Sequence, residues 1–380
     1  MRPALPSYRS VGRPLAEVFR SGILTKGKYL EAFEVKVAKY LGVKNAVGVS
    51  SCTMGLLLAY KALGLEGEVL VPSYTFMATV HPLLWIGVEP VFVDVDADTW
   101  NVDPASVRAA ITSKTSAIVG VHVFGNPAEI AELEAIAGRH HVRLIFDSAH
   151  GFGTLYNSHP IGRYGDVEVF STSPTKLLVT GEGGVVATND DKVAAWIRRG
   201  RDYGNRGNYD SNFPGLNARM QEFCAVLGIR SLRVLERTTY QRNHLAATYT
   251  EGLGRVPGIS FQKIHAKGRS SYKDFTILID DALFGIDRNT LMWALRAEGI
   301  DTRKYYDPPL HLHNTYRGSW KRYDGKLPVT EGLAKRALSL PMGPHLRKAA
   351  VVKICKVIER IQRHAPEVKQ RFAAARSRPA

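Results

Sequence analysis

Cysteine is scarce in this chain of 380 residues. Its three cysteines, Cys52, Cys224 and Cys355, stand far apart without CxxC or Cys/His spacing, so neither a disulfide framework nor a zinc site is suggested. Long apolar runs are also missing. VHPLLWIGV and similar stretches fall well short of the roughly 20 residues that cross a bilayer, and MRPALPSYRS has no signal-peptide centre. No membrane partner is expected, and a cytoplasmic location follows. Acidic residues are outnumbered, 35 against 51 Lys and Arg, giving a formal charge of +16. The excess cations are scattered apart from mild clusters at RGRDYGNRG and the C-terminus, and no helix-turn-helix or zinc module is legible. Nucleic acid is therefore not the expected partner, whereas an anionic small molecule suits the charge. The phosphate-binding pattern GxxxxGK[ST] is absent as well, which argues against an NTPase.

What the chain does have is a core, since 45% of its residues are hydrophobic. Short β-branched runs lie at 46–49, 68–72, 90–95, 116–123, 142–147, 166–171 and 183–188. Between most of them come helical patterns, among them Thr53 to Leu63, Pro104 to Ile111 and Pro127 to His140. Alternation of this kind predicts an α/β fold with a mainly parallel sheet covered on both faces. Met220 to Leu253 reads as one or two long helices. From about Gly258 the pattern changes to a strand at 274–280, a helix from Arg288 to Glu298, a loop rich in aromatic residues and His from Lys304 to Tyr316, and an amphipathic helix from Arg347 to His364. Two domains are expected: a large one over 1–250 and a smaller α/β one over 251–380.

Ligands of parallel sheets sit at the carboxyl ends of the strands, and four such ends carry polar residues. In VGVSSCTMGLLLAYKAL a strand runs through Ser51 and Thr53 into a helix, whose first N–H groups can cradle an anion. Ordinary capping by Ser50 or Ser51 explains the same residues. In VRLIFDSAHGFG the strand ends in Asp147, with His150 three residues on. Asp147 is either a helix cap or an anion that keeps a heteroaromatic nitrogen protonated; His150 either orients a nearby oxygen or packs. FSTSPTKLLVTGEGG places Ser171 at a strand end and Lys176 in an otherwise small and apolar run. A lysine held in a cleft with lowered proton affinity forms Schiff bases; a solvent-facing one does nothing special. VPSYTFMATVHPLL offers Tyr74 and Phe76 as stacking faces or as core. An anion cradle, a ring-facing carboxylate, a lysine and an aromatic face together fit pyridoxal phosphate.

The segments VSSCTMGLLLA, VPSYTFMATVHPLLWIGVEPVFVDVD, FDSAHGFG, FSTSPTKLLVTGEGGVVATND, GLNARMQEF and YYDPPLHLHNTYR, in this order, resemble the DegT/DnrJ/EryC1/StrS family of sugar aminotransferases. The resemblance implies fold type I, aspartate aminotransferase-like, with pyridoxal 5′-phosphate as cofactor and its pyridoxamine form as the amino carrier. It implies that Lys176 binds the cofactor's aldehyde, Asp147 pairs with its ring nitrogen, His150 sits near its ring oxygen and Phe76 stacks on it. Thr53, Met54 and Ser171 would hold the phosphate. Asn217 matches a residue that reaches the cofactor phosphate of a neighbouring subunit, so a homodimer with shared sites is implied, and His311 matches a position on the substrate side. The implied reaction moves an amino group from a donor, glutamate, to a nucleotide-linked 4-keto-6-deoxyhexose. The family's alternatives are a 3-keto sugar or a keto-inositol acceptor; a non-catalytic DNA-binding regulator is a distant further reading. The family's dehydratase branch has His where Lys176 stands, which favours transamination here. One departure concerns the phosphate turn, commonly Ser-Gly-Thr in the family but Ser51-Cys52-Thr53 here.

Overall fold

The computed structural model describes residues 3–208, 210–314 and 321–376; the end of the aromatic and His-rich loop, Thr315 and Tyr316, lies outside them. Seven strands form the main sheet: β1 (Asn45–Val49), β2 (Glu68–Pro72), β3 (Glu89–Val93), β4 (Thr115–Val121), β5 (Arg143–Asp147), β8 (Val167–Ser171) and β9 (Gly184–Thr188). Their order is β1-β9-β8-β5-β4-β2-β3. β3, β2, β4, β5 and β8 run parallel, and β9 is antiparallel to both β8 and β1. The doubly covered, mostly parallel sheet expected from the alternation is the one found.

Both faces are apolar because the strands carry β-branched or large residues at successive positions, which point alternately to either side. Leu144, Phe146, Phe170 and Val185 join one core cluster with Phe33 and Leu133 from the helices Lys28–Leu41 and Ile130–His140. Ile145, Val169 and Val186 join the other with Leu56 and Ala59 from the helix Cys52–Ala62 and Ile197 from Asp191–Gly200. Each such side chain taken out of water contributes about 1.5–3 kcal/mol.

A hairpin of β6 (Leu155–Tyr156) and β7 (His159–Pro160) pairs with β11 (Gly268–Arg269), tying the later chain to the sheet. The later chain also has its own antiparallel sheet of β10 (Ile259–Phe261), β12 (Phe275–Ile279) and β13 (Ala337–Leu340). Between Met220 and Leu253 stand two helices, Glu222–Leu232 and Leu235–Leu253. The expected boundary at residue 250 falls inside the second. Leu235 packs with the large sheet's cluster, whereas Leu245, Tyr249 and Leu253 pack with Phe275, Ile277 and Ile358. The expected strand at 90–95 stops at Val93. Asp94 instead accepts from the N–H groups of Val329 and Thr330 (3.0 and 2.8 Å), capping the helix Pro328–Arg336. No helix among the described residues is long and apolar enough to cross a membrane.

Candidate active site

The carboxyl ends of β2, β4, β5 and β8 share one edge of the sheet with the start of the reversed strand β9, and a cleft of about 380 Å³ opens there. Thr53, Phe76, Asp147, His150, Ser171 and Lys176 all line it. The topology gathers them because each follows or ends a neighbouring strand of the same sheet.

Ser51 caps the helix Cys52–Ala62: its Oγ accepts from the N–H of Met54 (3.2 Å) and its carbonyl from that of Gly55 (3.0 Å). The donors of the first turn that remain for an anion are therefore those of Cys52 and Thr53. This corrects the expectation for Met54, whose N–H is occupied by the cap. Cys52 replaces the family's glycine without distorting the turn, because it occupies the first helical position and turns its Sγ into the core toward the carbonyl of Val169 (3.9 Å). Gly184 makes this possible. A Cβ there would lie 2.7 Å from the Cys52 nitrogen, so β9 can run under the turn only without a side chain.

Asp147, 4% exposed, ends β5. One oxygen accepts from Thr79 Oγ1 (2.7 Å), the other from the Ala149 N–H (3.0 Å). Burial raises its pKa above the ordinary carboxylate value, against the opposing pull of these donors and of Lys176. A buried carboxylate met by neutral donors is short of a cation. The Lys176 ammonium is pushed down to about 8, first by burial and then by the nearby charge of Lys273. His150 packs parallel to Phe124, with ring centroids 6.1 Å apart, and its Nδ1 accepts the N–H of Phe124 (3.2 Å). Burial holds its pKa well below the usual value. It is thus a neutral imidazole whose Nε2 carries the proton. Phe76 is 54% exposed at the mouth. Tyr74, the other aromatic candidate, is core, its hydroxyl donating to the carbonyl of Tyr305 (2.6 Å).

Two expected residues stand apart from this chain's own cleft. Asn217 is exposed, its Oδ1 accepting from Arg219 Nε and Nη2 (3.2 and 3.0 Å). His311, placed on the substrate side by resemblance, is instead 1% exposed and structural: Nδ1 meets Ser73 Oγ at 2.7 Å, and Nε2 lies 3.5 Å from Glu331. It fastens the turn Leu310–Leu312 to the end of β2 through Ser73, whose Oγ meets Nδ1 and also accepts from the His311 N–H (3.1 Å). Lys273, Asp274, Tyr305 and Tyr306 also line the cleft; Tyr305 and Tyr306 open the segment YYDPPLHLHNTYR without a role assigned to them there, and Lys273 and Asp274 escape a reading by motif. The one sequence signal of Lys273 and Asp274 is their place as a charged pair directly before an apolar strand.

The pattern that defines the DegT/DnrJ/EryC1/StrS aminotransferase family matches residues 11–359. The chain belongs to this family. The dTDP-4-amino-4,6-dideoxy-D-glucose transaminase of Escherichia coli is 32% identical to it, over 94% of this chain and 96% of that one. For the dTDP-3-amino-3,4,6-trideoxy-alpha-D-glucose transaminase of Streptomyces venezuelae the identity is 36%, over 94% and 92%. The crystal structure of DesI in the presence of its TDP-sugar product matches with a TM-score of 0.91 at 37% identity, covering 98% of this chain and 94% of that one. The protein is accordingly a fold type I sugar aminotransferase dependent on pyridoxal 5′-phosphate. The cleft fits that cofactor on its own terms. It offers a carboxylate lacking a cation, an amine of lowered proton affinity and two unclaimed helix N–H groups beside Ser171.

Proposed function

We propose that this enzyme moves the amino group of L-glutamate to a nucleotide-linked 4-keto-6-deoxyhexose. The observation that carries the transfer is the meeting of Lys176, near pKa 8, with the buried Asp147 in one cleft. When bound, pyridoxal phosphate supplies an aldehyde that exchanges amines and a cationic ring that takes up negative charge. The residues of the chain do the rest. The N–H groups of Cys52 and Thr53 and the hydroxyls of Thr53 and Ser171 hold the phosphate. Asp147 keeps a proton on the ring nitrogen, and His150 Nε2–H donates to the ring oxygen. Phe76 covers the ring face. Lys176 Nζ, once freed by the donor amine, would take the proton from the donor's α-carbon and give it to C4′ of the cofactor, and would make the reverse transfer from C4′ to the acceptor carbon, serving as base and then as acid in each half.

The name of the E. coli relative supports amination at C4. That of the S. venezuelae relative supports a 3-keto acceptor as the second reading. Asn217 fits a homodimer in which it reaches the neighbour's phosphate. It lies on a surface linked through Arg219 and Asp202 to Lys26, beside the exposed Ile23 and Leu24.

The test is spectroscopic. The purified protein with cofactor is expected to show a yellow band that glutamate bleaches and a keto sugar restores, absent in Lys176→Ala. NMR of the product from dTDP-linked 4-keto and 3-keto hexoses then reads the position aminated. A protein that binds cofactor but takes no amine from glutamate overturns the donor, and one that aminates only the 3-keto sugar overturns the acceptor.

A further inference from the structure

One wall of the cleft that Asp147 and Lys176 also line comes from the later chain. Lys273 and Asp274, directly before β12, are both 3% exposed in their side chains, with Nζ 2.8 Å from Oδ2. Their backbone is clamped. The Lys273 N–H donates to the Phe124 carbonyl (2.9 Å), and its carbonyl accepts from the buried Arg242 guanidinium (3.0 Å). The Tyr305 ring lies 6.0 Å from Nζ, and Tyr306 stacks on Phe124 with centroids 6.1 Å apart. Paired charges and two aromatic rings thus share one wall.

A buried ion pair is a poor stabiliser, because desolvating two charges offsets most of their attraction. This pair also keeps hydrogen-bonding capacity: an ammonium has three donors and a carboxylate about four acceptor positions, and the pair's mutual bond uses one of each. The phosphate, ring and aldehyde of the cofactor are provided for by other residues of the cleft. A phosphate or an amino-acid carboxylate would seek an unpaired cation, which this wall does not present. A neutral ring bearing hydroxyls suits it, with C–H faces against the tyrosines and hydroxyls against the remaining donors and acceptors. Lys273 lowers the proton affinity of Lys176 and Asp274 raises it, so both stand within electrostatic reach of the transferring amine.

We propose that Lys273 and Asp274 form the hydroxyl-binding subsite for the acceptor sugar and select acceptors with a free hydroxyl beside the carbonyl. This rests on the aminotransferase reading of the same cleft. A hydroxyl lost against a charged partner costs roughly 10- to 100-fold in kcat/KM. The holoenzyme is therefore expected to prefer a dTDP-keto hexose with that hydroxyl over its deoxy analogue by this factor. Asp274→Asn should bring the two acceptors within a few-fold of each other, mostly through KM, and should slow the acceptor half-reaction more than bleaching by glutamate. Calorimetry on cofactor-free protein gives a second readout, with the hydroxylated dTDP-amino sugar losing more affinity than the deoxy one in the variant. If Asp274→Asn does not fold, Lys273→Gln is read in the same way. A variant that keeps the wild-type preference, or slows both half-reactions by the same factor, overturns the subsite. A wild type that aminates keto sugars without preference overturns it while leaving the function standing. A wild type that bleaches with glutamate but aminates no keto sugar overturns both.

Discussion

At the scale of single residues, Lys176 decides the chemistry because its charge is unwelcome where it stands. Burial, then the positive neighbour Lys273, pushes its pKa down to about 8, against the pull of Asp274 and Asp147. An amine attacks an aldehyde only when unprotonated, so cofactor uptake by the cofactor-free protein should rise with pH and level off above a midpoint near 8. An ordinary lysine would reach its midpoint only at about 10.4. Stopped-flow absorbance across pH 6–10 measures this, and a midpoint above 10 would refute the electrostatics described. His150 gives a complementary prediction. Since it is held neutral with Nε2 as donor, its contribution should not vary between pH 6 and 9. His150→Gln should keep most of the cofactor's absorption spectrum, and His150→Phe, which removes the donor, should shift it.

At the scale of elements, the site depends on two close approaches. Gly184 lets β9 pass under the first turn of the helix Cys52–Ala62. Gly184→Ala should displace the turn and weaken cofactor binding by at least ten-fold in an equilibrium titration, with the circular dichroism of the fold retained. Glu222, 2% exposed, accepts from the N–H groups of Gly27, Tyr29 and Leu30 (3.1, 2.9 and 2.9 Å) at the start of the helix Lys28–Leu41. Glu222→Ala should cost about 2–4 kcal/mol in urea unfolding, since it strands one buried and two part-buried donors together. Elements built on local pattern are legible in the sequence. The strands of the main sheet show as β-branched runs, and the polar residues at their ends mark Asp147, Ser171 and Lys176 by pattern alone. The wall of Lys273, Asp274, Tyr305 and Tyr306 is not legible, because nothing local tells which loop folds back over a sheet edge built more than 100 residues earlier. His311 misleads for the related reason that a motif position does not reveal whether its side chain faces a cleft or the core.

At the scale of the whole molecule, the role proposed for Asn217 would connect the fold to assembly. Asn217 does not line its own cleft and sits in a chain of contacts, Asn217 to Arg219 to Asp202 to Lys26, that leads to the exposed apolar residues Ile23 and Leu24. Tyr203 lies beneath the Arg219 guanidinium at 5.6 Å, and Phe19 packs on Phe223 at 5.2 Å while remaining largely exposed. Apolar side chains held in place around a polar network are what a self-complementary interface presents. Light scattering should therefore give twice the chain mass of 42.0 kDa, and Ile23→Asp with Leu24→Asp should halve it. Mass alone does not show that the sites are shared, but hybrid dimers do. Lys176→Ala removes the amine from a chain's own cleft, and Asn217→Asp sets a negative charge against the neighbour's phosphate, so each variant alone should be nearly inactive. In a one-to-one mixture, random exchange makes half the dimers hybrids, each with one doubly damaged site and one intact site. About a quarter of wild-type activity should return. A mixture that stays inactive after subunit exchange would mean that Asn217 acts within its own chain, and an Asn217→Asp variant that is active by itself would mean that it has no role.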